Sequence, residues 1–562
     1  MSELSREFPE VLPADHEQMD CWVVIPARGG SREIPRKNLV LCAGKPLIQY
    51  AIEAAKTAVS KNRVVLVTDD DEISWFGEQF GIHVVLEAER SGPHETLDEK
   101  ILRSIPALQA RGAQANDVIL TVQPTSPLIT PETIRNAYTQ LGDECSSVIS
   151  VVEDRHLNWA QNDKRHLPTP LFESRVNRQL IPPILRETGG VIGARLQDIA
   201  EHKSRVISPV SLIRTPSHEG IDVDSFGDLF EAEHWISRAR IVIRVDAGFT
   251  LGMGHIYRGV AIAQELARHE VIFAIDSRDS IAGNLLSNFP FEVKLLDDNS
   301  SFPKLLQLLK PDLLVVDMLD TDSASVLRWR QSSPETKIVS FEDNGDGADL
   351  CDAQVHDLTP GPSYSAPNAL VGVSNTILAP SFELVAGVAD RLGPSKDLLV
   401  SFGGTDPAGL TEKVLDALEI IKFEGSVTVV TGLGAKTPKV EKRRLNSRYL
   451  ADVRNMALEV SRHSLAISSM GRTVFELAQL EVPALCFAQN EKELGHIHVG
   501  DETGSVFGGQ GYAMSTDRIA NEIAAFLTDS NLHQRLRDSS EPFRTRRSNK
   551  KSLQAILQKV GL

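Results

Sequence analysis

Cysteine is scarce in this chain. The five residues, Cys21, Cys42, Cys145, Cys351 and Cys486, are odd in number, far apart and mostly set in apolar runs. Such spacing supplies neither a disulfide framework nor a zinc-ligand set, and it fits a reducing cytoplasm. Long apolar runs are missing too, and no stretch approaches the roughly 20 residues that span a bilayer. Basic charge is outweighed, 59 Lys and Arg against 76 Asp and Glu, for a formal net charge of -17. That field repels a phosphate backbone, so nucleic-acid binding would need a strong local basic patch, and none of convincing size is present. Residues 1–19 lack the basic and apolar segments of a secretory signal. Acidic and broken by Pro9 and Pro13, they read as a flexible leader.

What is present is the composition of a soluble globular protein: 41% hydrophobic and 24% charged, with a mean hydropathy of -0.14. A length of 562 residues exceeds one core, and a prior of roughly 100–200 residues per domain suggests about three or four lobes. The stretch Ile221 to Arg258 marks a seam, with one unit expected on each side. Residues 20–238 form the first, and 239–390 and 391–562 form two lobes of the second.

In the first unit Val23-Val24-Ile25 breaks into Pro26-Ala27-Arg28-Gly29-Gly30-Ser31, with Arg36, Lys37 and Asn38 close behind. A buried strand ending in a glycine turn is the natural reading. Successive N–H groups of such a turn form a concave anion site, and glycine lets the backbone approach a phosphate. A plain basic surface loop is the alternative. The turn matches neither the P-loop nor the dinucleotide fingerprint. Helices are expected at Leu47–Ala58, Glu72–Phe80 and Pro131–Leu141, and strands at Val64–Thr68, Asp117–Val122 and Ser146–Val152. The alternation implies a mostly parallel α/β sheet with ligands beyond its carboxyl edge. Asp69-Asp70-Asp71 reads as a helix cap rather than a metal site. Gln123 offers a donor and an acceptor after the next strand, where a structural turn is the alternative. Asp222 and Asp224, two apart in what reads as a strand end, would share a face and form a metal clamp. Ser225 with Asp228 carries a capping-box pattern for the helix that follows.

IPARGGSREIPRKN, VTDDDEI, LTVQPTSPL, NRQLIPPILRETGG and IDVDSFGDLFEAE stand in the order in which they occur in the CMP-sialic acid synthetase family, which this half resembles over about residues 20 to 238. The resemblance implies a Rossmann-like nucleotidyltransferase domain that activates a sialic, legionaminic or pseudaminic acid-like 2-keto sugar acid with CTP. It implies that Arg28, Gly29, Gly30, Ser31, Lys37 and Asn38 hold the triphosphate and cytidine, with Lys37 catalytic. Gln123 would line the sugar pocket, Arg178 and Gln179 would meet the sugar acid, and Asp222 and Asp224 would bind Mg2+. The chain departs from the family pattern at LEAERSGPHETLDE, where Arg90 is the available cation, at Ile129 in place of an arginine, and at Thr188-Gly189-Gly190 in place of Asn-Gly-Ala.

A second alternating series starts at Ile241–Val245 and runs through Gly252-Met253-Gly254-His255 into a helix expected over Ile256–Arg268. Two later strands, Leu398–Phe402 and Leu465–Ile467, enter the glycine turns Gly403-Gly404-Thr405-Asp406 and Ser469-Met470-Gly471-Arg472, an arrangement that cradles diphosphate. RVDAGFTLGMGHIYR, KPDLLVVDMLDT, FEDNGDGA, LLVSFGGTDP, SSMGRTVFELAQLEVP and AQNEKELGH resemble the UDP-sugar hydrolase of pseudaminic acid biosynthesis and related spore-coat polysaccharide proteins, within the two-lobed GT-B superfamily. The resemblance implies a catalytic His255, with Gly403, Gly404 and Thr405 near the diphosphate and Glu476 near the ribose. A helix N-terminus would keep His255 neutral and able to accept a proton; a plain cap is the alternative. Asp246 and Asp406 end strands and could assist or merely cap. The basic run Phe543 to Arg547 with Lys550 and Lys551 reads as a solvated face. The whole is expected to be a bifunctional enzyme using CTP, a 2-keto sugar acid and a UDP-sugar, with no nucleic-acid or membrane partner and a possible homodimer. A glycosyltransferase or a silent UDP-sugar-binding module is the alternative for the second unit.

Overall fold

The computed structural model describes residues 20–562 apart from 32, 88–94, 143, 162–166, 247–253, 299, 319, 360–365, 388–396, 433, 440–442, 452 and 454. Two compact units divide the chain, the first ending at Ser237 and the second beginning at Arg238. Among the described residues no helix is long and apolar enough to cross a membrane.

The first unit is built on a seven-stranded sheet. Its order across the sheet is Val210–Arg214, Ser147–Asp154, Ile184–Arg195, Val118–Val122, Cys21–Ala27, Val64–Thr68 and His83–Leu86. Cys21–Ala27, Val64–Thr68 and Val118–Val122 are buried at every position, as strands covered on both faces must be, which is why they read as unbroken apolar runs. Alternation sends Cys21, Val23, Ile25 and Ala27 to one face, under the helices Leu47–Ala58 and Pro131–Gln140. Trp22 and Val24 face the other way, toward Leu97–Ala110 and Leu196–His202. The expected parallel pairing holds except at Ile184–Arg195, antiparallel to both neighbours. This longest strand is poorly marked in the sequence because its first half is largely exposed. Its register also shifts between Glu187 and Ile192, where the glycine pair lies.

The second unit carries two wholly parallel sheets, the two-lobed GT-B-like α/β arrangement. The first orders Glu292–Leu296, Glu270–Asp276, Arg240–Val245, Leu313–Asp317, Lys337–Phe341, Ala353–His356 and Ala369–Val371. The second orders Asn446–Ala451, Ser426–Thr431, Leu398–Ser401, Leu465–Ser469, Ala484–Phe487 and Ser505–Gly509. The chain crosses between lobes more than once. Leu378, Phe382 and Val385 join the second lobe's core, whereas Leu553, Ile556 and Val560 of the last helix, Asn549–Val560, return to the first.

That crossing corrects the reading of the late basic run as a solvated face. Arg547 is buried at the corner between the helices Ser530–Arg546 and Asn549–Val560. Its guanidinium donates to Gln479 Oε1, to the Thr376 carbonyl and to Glu383. A charge so placed is tolerated because every arm of the fork finds an acceptor. Lys550 and Lys551 do remain exposed.

Candidate functional site

In the first unit, segments far apart in sequence meet at the carboxyl edge of the central strands. Cys21–Ala27 pairs with Val64–Thr68 so that Ala27 lies opposite Thr68. The Arg28–Ser31 turn therefore emerges beside Asp69 and Asp70. The Gly29 N–H donates to Asp69 Oδ1 at 2.8 Å, which fixes the turn. A Cβ on Gly29 would lie 2.4 Å from Asp70 Oδ2, so only glycine fits this approach. Asp70 is the expected cap, accepting from the Glu72 and Ile73 N–H groups. Asp69 has a role that the capping reading missed. Asn38 is buried and donates its side-chain amide to the Arg28 carbonyl at 2.9 Å, so it frames the turn. Arg28 and Gly30 are exposed, and Ser31 is half-buried. Arg36 is drawn to the next helix by Asp70 and Glu72, at 3.2 and 2.6 Å.

The acidic pair lies in irregular chain at residues 221–224, so the expected strand end is corrected. One hydrogen bond, from the Val223 N–H to the Thr125 carbonyl at 2.7 Å, ties this segment to the turn after Val118–Val122. Because no strand continues there, the two carboxylates do not share an environment. Asp224 is exposed and accepts from Lys37 Nζ at 2.8 Å. Asp222 is half-buried, and its Oδ1 is enclosed without a hydrogen-bond partner among the described residues. Burial pushes the Asp222 carboxyl up; the Thr125 hydroxyl and Lys37 pull the other way without cancelling it, and Asp224 adds repulsion. Thr125 Oγ1 likewise lacks a partner in good geometry, so its proximity does not satisfy Asp222. Ser225 and Asp228 form the expected capping box of Phe226–Ile236. Among the described residues no three His, Cys, Asp or Glu side chains form a metal cluster. Two carboxylates, one with an orphaned buried oxygen, nevertheless fit magnesium, which takes few protein ligands and relies on substrate phosphates for others.

Gln123 follows Val118–Val122 and packs beneath the irregular part of Ile184–Arg195. Gly189 has φ +72, and a Cβ there would meet the Gln123 amide nitrogen at 2.7 Å. A Cβ on Gly190 would strike Ile129 Cδ1 at 2.5 Å, so Ile129 fills its position as a core residue. Arg178 and Gln179 are exposed in the short 3-10 turn Arg178–Leu180, and among the described residues no hydrogen bond joins them to the other site residues. Arg90 lies outside the described residues.

The second unit gathers a different group, around the carboxyl end of Leu313–Asp317. His255 is the second residue of the helix Gly254–Glu265, while Gly252 and Met253 lie outside the described residues. His255 Nδ1 meets Asp317 Oδ1 at 2.6 Å, so its ring is engaged by the strand end rather than left free at the helix terminus. Fully buried Asp317 also accepts from Arg258 Nε and Nη2, each at 2.6 Å. Arg258 reaches Asp357 at 3.5 Å, and Arg472 Nη1 reaches the same carboxylate at 2.9 Å. Arg472 Nη2 donates to the Ile377 carbonyl at 2.6 Å. Burial alone would push Asp317 up, but Arg258 and then His255 outweigh it and hold the carboxyl below its ordinary range. Asp357 is likewise held low, Arg472 and Arg258 overcoming its burial. Of these, the sequence pointed only to Arg472, as the end of a glycine turn; Asp317, Arg258 and Asp357 carried no such mark. The available signal was a charge closing an apolar run, as in LLVVD.

Of the glycine turns, Gly403-Gly404-Thr405 interlocks with the turn at Gly432. A Cβ on Gly432 would lie 2.6 Å from Gly404 Cα, and the Gly434 N–H donates to the Gly404 carbonyl at 3.0 Å. No hydrogen bond joins this turn to His255 among the described residues. Asp406 caps the next helix by accepting from the Leu410 and Thr411 N–H groups. Asp246 pairs with Arg244 at 2.5 Å. The Ser469–Arg472 turn lies nearer His255, since a Cβ on Gly254 would come within 3.5 Å of Arg472 Cδ. Glu476, on the helix Thr473–Gln479, keeps some solvent contact but is surrounded by protein. Burial pushes its carboxyl up to about 7, with Arg472 offsetting part of the effect.

A mostly parallel α/β sheet presenting a glycine turn, a lysine and two aspartates at its carboxyl edge defines a nucleotidyltransferase-type domain. Residues 22–171 match the cytidylyltransferase family. A CMP-N,N'-diacetyllegionaminic acid synthase from Legionella pneumophila is 32% identical over 215 residues, covering 37% of this chain and 92% of that protein. Through its first unit, the chain belongs to the cytidylyltransferase family. An uncharacterised protein from Methanocaldococcus jannaschii is 26% identical over 281 residues, 45% of this chain, and the match spans about half, 56%, of that protein's length. Among solved structures, MurG from Acinetobacter baumannii is 15% identical with a TM-score of 0.42, covering 57% of this chain and 100% of that one. At that score the fold of the second unit rests on its own two sheets.

Proposed function

We propose that the first unit transfers CMP from CTP to a 2-keto sugar acid of the sialic, legionaminic or pseudaminic type, releasing pyrophosphate. The observation that carries this reading is the convergence of Lys37, Asp224 and the orphaned Asp222 carboxylate beside the Gly29 turn. A sugar hydroxyl oxygen attacks the α-phosphorus and the bond to pyrophosphate breaks, so the protein must position both partners and neutralise developing charge. Lys37 is poised for that work: its partner Asp224 is exposed, and a triphosphate can draw the ammonium away. Arg28 and the turn's N–H groups would bind phosphate, Gln123 would meet the sugar, and Asp222 with Asp224 would hold Mg2+. The ion, when bound, supplies charge neutralisation at the phosphates. The likeness to a legionaminic acid synthase supports the substrate class. CTP with a panel of nonulosonic acids, followed by pyrophosphate release, tests it; no release with any member would refute it.

For the second unit the reading is hydrolysis of a UDP-sugar, with His255 as general base. The His255–Asp317 hydrogen bond supports it, because a silent binding module has no need of an oriented imidazole. UDP release without an acceptor favours hydrolysis, release only with one favours a glycosyltransferase, and no turnover favours the binding module. A homodimer is supported by the apolar arm between the strands Ser147–Asp154 and Ile184–Arg195, where Trp159, Leu171 and Leu180 are 54%, 57% and 70% exposed. Light scattering of Leu180→Asp should then report a monomer. The five free cysteines suit a cytoplasmic location.

A further inference from the structure

We infer that Asp317 is a positioning residue of the second unit, fixing the His255 ring in its Nδ1–H tautomer and leaving Nε2 as the bare acceptor for the proton of attacking water. The inference rests on the hydrolase reading and deepens it.

The argument starts from the strand. All five residues of Leu313–Asp317 are buried, and the strand lies between Arg240–Val245 and Lys337–Phe341. The Asp317 carboxylate therefore stands at the middle of the sheet's carboxyl edge, out of solvent. His255 and Arg258 are three apart on one helix, so both reach that single carboxylate. Arg258 is charged at any accessible pH and grips both oxygens, which fixes Asp317 as an anion. A carboxylate only accepts, so the His255 nitrogen 2.6 Å away must be the donor. The proton is thereby placed on Nδ1, and in the neutral ring Nε2 carries only its lone pair.

A purely structural ion pair would be complete with Arg258 alone. Asp317 instead also holds His255, whose ring is largely covered yet keeps 18% of its surface open to solvent, so that a water or substrate can still reach it. Other charges close around the group. Asp357 at the end of Ala353–His356 faces Arg258 and Arg472, and Glu342 after Lys337–Phe341 accepts from the Asp357 N–H. Glu476 lies beside Arg472, while Asp246 at the end of Arg240–Val245 is engaged by Arg244. The Arg258 guanidinium sits 5.0 Å from the Phe341 ring centre, which holds it in place from below.

In the step this arrangement serves, the water oxygen bonds to the anomeric carbon as the carbon–oxygen bond to UDP breaks. The electron pair leaves on the diphosphate oxygen, and the water's proton passes to Nε2. Asp317 remains ionised against the imidazolium, which then returns the proton to solvent.

The test uses the full chain. With 15N-labelled histidine, spectra of the wild type and of His255→Ala identify the His255 signals among fifteen histidines. A protonated Nδ1 and bare Nε2 are expected. Asp317→Asn should lower kcat for UDP release about 100-fold or more with KM within about threefold, because orientation is lost while substrate binding is kept. An Nε2–H tautomer in the folded wild type, or a folded Asp317→Asn with unchanged kcat, overturns the inference. Should Asp317→Asn fail to fold, because Arg258 loses its main partner, the wild-type spectrum decides. If the wild type releases no UDP without an acceptor, the hydrolase reading falls, and the same spectrum still decides the tautomer.

Discussion

Replacing Asp222 by Asn should make the ligand-free protein more stable and at the same time remove the magnesium response proposed for the first unit. The wild-type carboxylate has an enclosed Oδ1 with no hydrogen-bond partner among the described residues, and burial followed by Asp224 drives its pKa upward against the pull of Thr125 and Lys37. A buried polar group left unsatisfied costs about 1–3 kcal/mol. Asn still leaves a polar oxygen enclosed, but it carries no charge, so the desolvation of a carboxylate and the repulsion from Asp224 are both relieved while only the weak attraction of Lys37 is forfeited, and a gain of about 1 kcal/mol is expected. For a unit of this size that is about 2–4 °C in Tm.

The pH dependence follows from the direction of the shift. The folded carboxyl titrates above its ordinary 3.8. Below that value wild-type Asp222 is neutral whether the chain is folded or not, and carries no charge penalty. As pH rises past it the penalty grows, and it is complete above the folded value. The advantage of Asp222→Asn should therefore be largest at pH 7 to 8 and shrink toward pH 4. Calorimetry of the full chain in chelator measures it, with the first unit's transition recognised as the one that moves. Titration of magnesium with CTP present supplies the second readout. A variant less stable than wild type at pH 8 in chelator, or one whose transition still rises with magnesium as the wild type's does, would refute the reasoning.

Gly29→Ala places a Cβ 2.4 Å from Asp70 Oδ2, so the turn must move. CTP binding should weaken at least about tenfold while the calorimetric transition of the first unit shifts only slightly, because the strand below is untouched; equal CTP affinity would remove the turn from the site. Glu476 is raised from 4.5 to about 7, so its contribution to stability is present below pH 4.5 and lost as pH rises through 7. The second unit's Tm should fall between pH 5 and 8, and Glu476→Gln should flatten that fall; parallel curves would contradict the buried-carboxyl account. Cutting the chain between Trp235 and Arg240 should leave two soluble pieces that each unfold cooperatively, since the compact units meet at Ser237 and Arg238. An unfolded piece on either side would show that the units depend on one another.

Much of the scaffold was legible before any coordinates. Val64–Thr68 and Leu47–Ala58 fall where the apolar pattern placed them, because a doubly covered strand must be continuously apolar and a covering helix must repeat at 3.6 residues. Caps were legible for the same local reason, as at Asp70 and in the Ser225–Asp228 box. The reading failed where local chemistry was ambiguous. Ile184–Arg195 hides a strand behind exposed residues and a glycine break, and residues 221–224 look like a strand end but form none. The buried corner at Arg547 looked solvated because charge in sequence says nothing about acceptors brought from elsewhere.

By itself the sequence determined the α/β class, the seam near residue 238 and the family of the first unit, all of which rest on short-range patterns and on motifs in order. Only the tertiary structure decided which charges meet. Lys37 reaches Asp224 across 187 positions, Arg258 reaches Asp317 across 59, and Arg472 reaches Asp357 across 115. Such pairings are set by strand order and by the edge at which each loop emerges, and no spacing along the chain encodes them locally.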